Sequence, residues 1–148
     1  WGHGGADAGY RSYVIHVPEE RLAVAVLGNA ATFRSSPVGR AVLDVHLADS
    51  LEDYILQLVQ ATRDPGRWDP ELSALVEFGA GPRASLALDR AARAHAWLAG
   101  RDYVIPEDIR VLAHDVLRHR IVLGIEAEVE GTGADAIIDR LLKRVPVA

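Results

Sequence analysis

Apolar residues recur every three or four positions through most of the chain after residue 50, and this spacing predicts amphipathic helices. Three stripes stand out, at residues 51–62, 109–117 and 137–145. Their apolar members are Leu51, Tyr54, Ile55, Leu58, Val59 and Thr62; Ile109, Leu112, Ala113, Val116 and Leu117; and Ile137, Ile138, Leu141, Leu142 and Val145. Each stripe covers one face only, so the pattern predicts helices that bury their apolar sides against each other.

Helix-breaking and capping residues separate these stripes. Asp64-Pro65-Gly66 ends the first helix, and Pro70 is expected to start a short helix that runs through Phe78. Pro106-Glu107-Asp108 opens the next helix with a proline and two acids in its first turn. The segment 120–125 fits either a short strand or an extended stretch. Thr132 to Asp135 predicts a variant of the capping box before the last helix.

An alanine-rich helix is predicted between these elements. Gly79 and Gly81 leave the backbone flexible, Pro82 occupies the position of a first helical residue, and Arg83 follows. The predicted inner face is shallow, so another helix can approach closely; it comprises Leu88, Ala91, Ala92, His95 and Leu98 or Ala99. Gly100 is expected to end the helix in the left-handed conformation.

Arg83 is the candidate binding residue of this helix. The first turn of a helix has free N–H groups, and together with a guanidinium these form a good receptor for phosphate oxygens. The alternative is a surface ion pair with Glu77 or Asp108, which contributes little to stability.

The first 50 residues follow a different, strand-like pattern. Apolar positions alternate in residues 10–17 and 21–27, which predicts an antiparallel hairpin. The glycine-rich stretch Trp1 to Gly5 is typical of a loop or a strand edge. Ser35-Ser36-Pro37 is expected to begin a helix with an apolar side.

Several motifs after residue 53 together resemble the C-terminal lid domain of MoxR-type AAA+ ATPases. They are Gly-Ala-Gly-Pro-Arg-Ala-Ser-Leu-Ala-Leu (79–88), Arg-Ala-Ala-Arg-Ala-His-Ala (90–96), Gly-Arg-Asp-Tyr-Val-Ile-Pro-Glu-Asp-Ile (100–109) and Asp-Val-Leu-Arg-His-Arg (115–120). The resemblance implies that Arg83 is the sensor 2 residue, which reaches the nucleotide phosphates, with Gly79, Gly81 and Pro82 as its hinge. Three positions depart from the family pattern: Gly81, Ile105 and His114.

Residues 1–50 resemble a different family, the C-terminal tail of serine hydrolases related to β-lactamases and penicillin-binding proteins. The resemblance rests on His3-Gly4-Gly5, on Gly9-Tyr10-Arg11-Ser12, on the hairpin with Leu27-Gly28-Asn29 and on Val45 to Asp49. It implies that His3, Gly4 and Gly5 match the third motif of the active site. The serine–lysine and tyrosine motifs are missing, so no catalytic set is complete and acyl transfer lacks a nucleophile.

Composition narrows the possible functions. With a net charge of −5, the chain has no basic surplus for a nucleic-acid interface. The absence of cysteine excludes disulfides and zinc–thiolate sites and fits a reducing compartment, so we expect a cytoplasmic protein. No apolar run approaches the roughly 20 residues of a membrane span. The chain opens on Trp1 and has no methionine, so we expect a processed product, a fragment or an excised piece.

The missing motifs also limit catalysis. The sequence contains no Gly-x-x-x-x-Gly-Lys-Ser/Thr motif, and its single lysine is Lys143. The chain is therefore predicted to be inactive alone and to supply one wall of a nucleotide site. ATP with Mg²⁺ is expected only within a complete ATPase, whose core domain and neighbouring ring subunits would be the partners.

The remaining candidate residues have structural interpretations. Arg118-His119-Arg120 lies at a helix end, where cations stabilise free carbonyls, although a contact with a neighbouring subunit is the alternative. His114 and His119 are five residues apart and do not share a helix face, so no metal site is expected. His95 is interpreted as a buried, hydrogen-bonded core histidine.

These observations predict a mainly α protein, a helical AAA+ lid bundle preceded by an antiparallel β-hairpin and helix. The expected domains are residues 1–50, the hydrolase-like fragment, and residues 53–148, the lid. The expected function is that of a MoxR-type lid that couples ATP binding and hydrolysis to chaperone-like remodelling. The alternatives are a fragment of a serine hydrolase and a helical adaptor without a nucleotide role.

Overall fold

The computed structural model describes residues 2–7, 10–18, 22–30 and 32–147. The chain divides into two compact units, one of residues 1–46 and 93–103 and the other of residues 47–92 and 104–148. Trp1, Gly9 and Arg21, which the sequence predictions name, lie outside the described residues. The described chain is mainly helical, as expected.

The first unit contains a three-stranded antiparallel sheet. Its strands are β1 (Gly2–Asp7), β2 (Tyr10–Val17) and β3 (Leu22–Gly28), in the order β1-β2-β3. The predicted hairpin corresponds to β2 and β3, and the glycine-rich start of the chain adds the third strand. Helix α1 (Ser35–Leu43) packs on β2 and β3.

Among the described residues, six α-helices and β-strands lie wholly in the second unit, besides short 3₁₀ turns. They are α2 (Asp49–Arg63), β4 (Val76–Phe78), α4 (Pro106–Leu117), β5 (Val122–Leu123), α5 (Ile125–Glu130) and α6 (Ala134–Arg144). Helix α6 packs against α2 and α4, which buries the three predicted stripes against one another. Helix α2 begins at Asp49 and continues without a break through residues 51–53, where the two family resemblances meet.

Helix α3 (Arg83–Leu98) begins one residue after the predicted start, because Pro82 lies in the preceding turn. As predicted, Gly100 terminates the helix: it follows the last helical turn and has a left-handed φ of +75°. The amides of Gly100 and Arg101 donate to the carbonyls of Trp97 and Ala96, both at 2.9 Å, which is the hydrogen-bond pair of a Schellman motif. These bonds satisfy carbonyls that the helix end would otherwise leave unpaired.

One secondary-structure prediction was wrong. Residues 70–78 do not form a helix, because only Pro70–Leu72 makes a 3₁₀ turn and Val76–Phe78 is strand β4, paired antiparallel with β5. Short apolar runs fit either structure, and the pairing of Phe78 with Val122 far along the chain is decided by tertiary contacts. The pairing also shows that the 120–125 segment contains strand β5. Helix α5, which begins at Ile125, was not predicted.

The inner face of α3 and the N-cap of α6 also differ from the predictions. Leu98 is 76% exposed and does not belong to the inner face, and His95 is half-buried. The N-cap of α6 is Gly133, with no side-chain hydrogen bond, so the capping box expected at Thr132 to Asp135 is not formed.

Candidate functional site

The turn before α3 is held on the last turn of α2. The buried amide of Ala80 donates to Thr62 Oγ1 at 2.9 Å, and that hydroxyl donates to the carbonyl of Val59 at 2.7 Å. A Cβ on Gly79 would lie only 2.2 Å from the carbonyl oxygen of Thr62 and 2.5 Å from the amide nitrogen of Arg63. Gly79 is therefore needed for close packing of two backbones, a role that the sequence pattern had not suggested.

Gly81 and Pro82, by contrast, are exposed. A Cβ on Gly81 would meet no atom within 4 Å. Its carbonyl accepts the amide of Ala84 at 2.9 Å, which closes the first turn of α3. The segment is thus fixed at Ala80 by a hydrogen bond, whereas Gly81 has free space around it.

Arg83 is the first residue of α3 and is exposed. Its guanidinium makes no hydrogen bond or ion pair within residues 2–7, 10–18, 22–30 and 32–147. Neither Glu77 nor Asp108, the two carboxylates considered as partners, is paired with it. Arg83 therefore keeps its full hydrogen-bonding capacity for another group.

Asp108 has a structural role that explains why it does not face Arg83. It is fully buried, and its Oδ2 accepts the amide of Ile105 at 2.9 Å, which caps α4 from inside the helix. This bond is the carboxylate half of a capping box. The other half of the box needs a side-chain acceptor at the N-cap, such as a threonine hydroxyl. Ile105 has no such acceptor, so its departure from the family pattern removes only that half.

The inner face of α3 is made of small residues at every fourth position. Ala84, Leu88, Ala92 and Ala96 are all fully buried. Of the predicted inner face, Leu88 and Ala92 are fully buried, Ala91 and His95 are half-buried, and Leu98 and Ala99 are exposed. Ala84 follows Arg83 directly, so the burial of Ala84 also positions the backbone from which the guanidinium projects.

A cluster around Arg140 was not predicted from the sequence. Its Nε donates to Asp69 Oδ2 at 2.8 Å, and its Nη2 donates to Glu71 Oε2 at 2.7 Å. The hydrogen bond from Arg140 holds the pKa of the Asp69 carboxyl below its ordinary value, and the two carboxylates raise the pKa of Arg140. Asp69 also accepts the amide of Glu71, so the cluster fixes the 3₁₀ turn on α6.

The basic residues at the end of α4 are engaged within the unit. Arg118 Nε donates to Asp135 Oδ1 at 2.9 Å, and Arg120 Nε donates to the carbonyl of Val116 at 2.9 Å. His114 Nε2 lies 3.0 Å from Asp139 Oδ1. These contacts agree with the structural interpretation of the segment and join α4 to α6.

A polar cleft of about 590 Å³ lies at the end of α2. Its lining residues are Gln57, Gln60, Arg63, Asp64, Arg67 and Trp68. Arg63 belongs both to this cleft and to the backbone on which Gly79 packs. In the part of the chain that the structure describes, Arg63 and Arg67 make no ion pair, so two further guanidiniums are accessible on this unit.

The hydrolase-like residues His3, Gly4 and Gly5 are exposed on β1, where they pair with Val14, Tyr13 and Ser12 of β2. Gly5 also lines an open hollow of about 860 Å³ beside the sheet. No group of three or more His, Cys, Asp or Glu suited to a metal ion occurs among the described residues. No helix among them is long and apolar enough to cross a membrane.

Comparison with protein families finds a similarity over the central and C-terminal part of the chain. Residues 72–141 match the model of the AAA lid domain family, a range that includes Gly79, Gly81, Pro82 and Arg83. The chain thus resembles a MoxR-type AAA+ lid, as the sequence motifs indicated.

Individual relatives agree with this class. The chain is 43% identical over 108 residues to YeaC of Bacillus subtilis (strain 168), a protein named as uncharacterized, and the match covers 73% of this chain and 31% of YeaC. It is 43% identical over 97 residues to the chaperone MoxR1 of Mycobacterium tuberculosis, covering 65% of this chain and 26% of MoxR1. The chain therefore spans about a quarter to a third of these relatives.

A crystal structure of a protein of Cytophaga hutchinsonii ATCC 33406, assigned as an ATPase, superposes with a TM-score of 0.71 at 42% identity. The superposition covers 74% of this chain and 33% of that protein. These matches support the lid resemblance. They give no support to the serine-hydrolase resemblance of residues 1–50, which stays a prediction.

Proposed function

We propose that this chain is the lid of a MoxR-type AAA+ ATPase and that Arg83 is its sensor 2 residue. The position of Arg83 carries the proposal. Its side chain is exposed, has no partner among the described residues and belongs to the first residue of α3. The turn that precedes α3 is fixed on α2. A guanidinium held in this way is suited to bind phosphate oxygens bidentately.

In this proposal the chain contributes one contact to a site that the core domain completes. ATP with Mg²⁺ supplies the phosphoryl group to be transferred, and the core domain holds both. Arg83 would bind the phosphate oxygens, where added positive charge stabilises the transition state of phosphoryl transfer. Gly81 and Pro82 form the joint between the fixed residue Ala80 and the helix, so the presence or loss of the phosphate contact biases the position of α3.

The proposed partners are the AAA+ core domain of the same ATPase and neighbouring subunits of a ring. One relative is named a chaperone, and we extend that role to this chain: the lid couples ATP binding and hydrolysis to remodelling of a client protein. A cytoplasmic location is part of the same proposal.

The test supplies this chain in trans to a MoxR-type AAA+ core that lacks its own lid. ATP hydrolysis is measured by phosphate release, and association by fluorescence anisotropy of the labelled chain with ATP or ADP. The Arg83→Ala chain should lower the stimulated turnover by roughly 100- to 1,000-fold, as expected for loss of one positioned donor to the transition state. Arg83→Lys should restore part of it, because the charge is kept and the planar fork is lost.

Arg67→Ala is the matched control, since Arg67 is likewise exposed and makes no ion pair among the described residues. Equal turnover with the Arg83→Ala and wild-type chains would refute the sensor assignment. Association that does not depend on the nucleotide would instead favour the adaptor alternative.

A second proposal concerns residues 1–50, the fragment that resembles the end of a serine hydrolase. The antiparallel order β1-β2-β3, followed by α1 packed on β2 and β3, favours it, because the resemblance implies such strands and a closing helix. His3, Gly4 and Gly5 would then be remnants of a substrate-positioning strand. The isolated chain should not hydrolyse nitrocefin or p-nitrophenyl esters, and turnover with either would show that a nucleophile was overlooked.

A further inference from the structure

Strands β4 and β5 and helix α5 of the second unit expose large apolar side chains. Phe78 on β4 and Val122 on β5 are directly paired across the two strands, and they are 64% and 50% exposed. Ile125 and Val129 on α5 are 78% and 82% exposed. Residues opposite each other in an antiparallel pair project from the same face, so Phe78 and Val122 form one apolar contact area.

The short helix α5 extends this area. Ile125 follows Val122 by three residues, and Val129 lies one turn after Ile125 on the same helix face. Ala127, which is fully buried, lies on the opposite face, so the packing of α5 directs Ile125 and Val129 outward. We call Phe78, Val122, Ile125 and Val129 the β4–α5 surface. Groups of exposed large apolar residues are typical of interaction sites.

Acidic residues flank the apolar positions. Glu126 and Glu128 lie on either side of the Ile125–Val129 row, and Glu130 ends the helix. All three are exposed, and none forms an ion pair within the described part of the chain. Residues 121–135 contain no lysine or arginine, so this segment itself carries no cation to offset the charge.

We propose that the β4–α5 surface binds a segment of another protein that carries large apolar side chains flanked by lysine or arginine. The apolar residues provide the area to be buried, and the acidic flanks select the charge of the partner. The same flanks oppose two other occupants. A second copy of this surface would bring like charges together, and an anionic membrane would be repelled. The proposal does not depend on the role of Arg83.

The test measures binding of a fluorescein-labelled amphipathic helix with leucine on one face and lysine along its edges, by anisotropy against the whole chain. A peptide with glutamate in place of lysine is the charge control. The lysine peptide should bind, binding should weaken severalfold between about 0.05 M and about 0.5 M NaCl, and the glutamate peptide should not bind.

Val129→Ser should weaken binding of the lysine peptide by roughly tenfold or more, because a buried contact is lost without a change of charge. Glu128→Gln should weaken it less and should flatten the salt dependence. The matched control is Val111→Ser, since Val111 is 62% exposed on α4, outside the surface. Circular dichroism checks that each variant is folded.

Three results would overturn the proposal. The first is an equal loss in Val129→Ser and Val111→Ser, and the second is equal binding of the two peptides. The third is self-association of the chain, or binding to vesicles with anionic lipids, that Val129→Ser abolishes.

Discussion

The amide of Ala80 donates a hydrogen bond of 2.9 Å to the hydroxyl of Thr62, eighteen residues earlier in the chain. Both residues are fully buried, and the hydroxyl donates a hydrogen bond of 2.7 Å to the carbonyl of Val59. This relationship fixes the chain three residues before Arg83. A hydroxyl in the last turn of one helix thus helps position a guanidinium at the start of another.

Replacing Thr62 with valine should destabilise the fold. Valine has nearly the same shape but leaves the buried amide of Ala80 without an acceptor, which costs about 1–3 kcal/mol. Urea unfolding followed by circular dichroism measures the free energy of unfolding. Thr62→Ser is the control that keeps the hydroxyl, and it should retain the hydrogen bond while losing one buried methyl group. If valine proves no more destabilising than serine, the bond is of little importance.

The two glycines of the turn should respond in opposite ways to alanine. At Gly79 the new Cβ would lie 2.2 Å from the backbone of Thr62, so the turn would have to move away from α2 and unfolding should become easier by more than about 1 kcal/mol. At Gly81 nothing lies within 4 Å, and alanine should be neutral or should stabilise by about 0.4–1 kcal/mol through the unfolded state. Thermal unfolding of the two variants makes the comparison, and a similar loss in both would contradict it.

The Gly81→Ala variant also addresses the proposed joint. Alanine restricts the backbone at the open position without disturbing the packing at Gly79. In the trans assay it should lower the ATP-stimulated turnover while the free energy of unfolding is kept or raised. Unchanged turnover would argue against a hinge at this residue.

These residues show what the sequence could and could not predict. The stripe from Leu51 to Thr62 was readable because helical burial repeats every three or four residues along a single segment. The strand Val76–Phe78 was not, because its partner lies elsewhere in the chain and only the paired structure distinguishes it from a helix. Gly79 was marked as a special position, but the pattern could not tell backbone flexibility from close packing. The pairing of Arg140 with Asp69, 71 residues apart, leaves no local signal.

The Asp69–Arg140 pair should make stability depend on pH in the acid range. The hydrogen bond from Arg140 lowers the pKa of Asp69 below its ordinary value of 3.8, so the stabilisation is present above that value. It is lost as the pH falls through the lower pKa of the folded state. The urea midpoint should therefore decrease as the pH falls below about 4.

The Arg140→Met variant isolates this contribution. Without the guanidinium the pKa of Asp69 is no longer held down, so the decrease of the urea midpoint in acid should become shallower. Arg118→Met is the matched control. Arg118 is also paired with two carboxylates, but these belong to the exposed residues Asp115 and Asp135. An acid response in Arg140→Met as steep as that of the wild type would assign the pH dependence to other groups.

Arg83 should be nearly irrelevant to folding, and this expectation separates function from stability. The side chain is exposed and has no partner among the described residues, so Arg83→Ala should change the free energy of unfolding by less than about 0.5 kcal/mol. Arg140→Ala should cost more, since it leaves the buried carboxylate of Asp69 without its cation. Urea unfolding of both variants tests this order. If Arg83→Ala is as stable as the wild type but fails in the trans assay, the defect lies in the phosphate contact, because the fold that presents the guanidinium is intact. If it unfolds as readily as Arg140→Ala, Arg83 has a structural partner and the sensor assignment loses its basis.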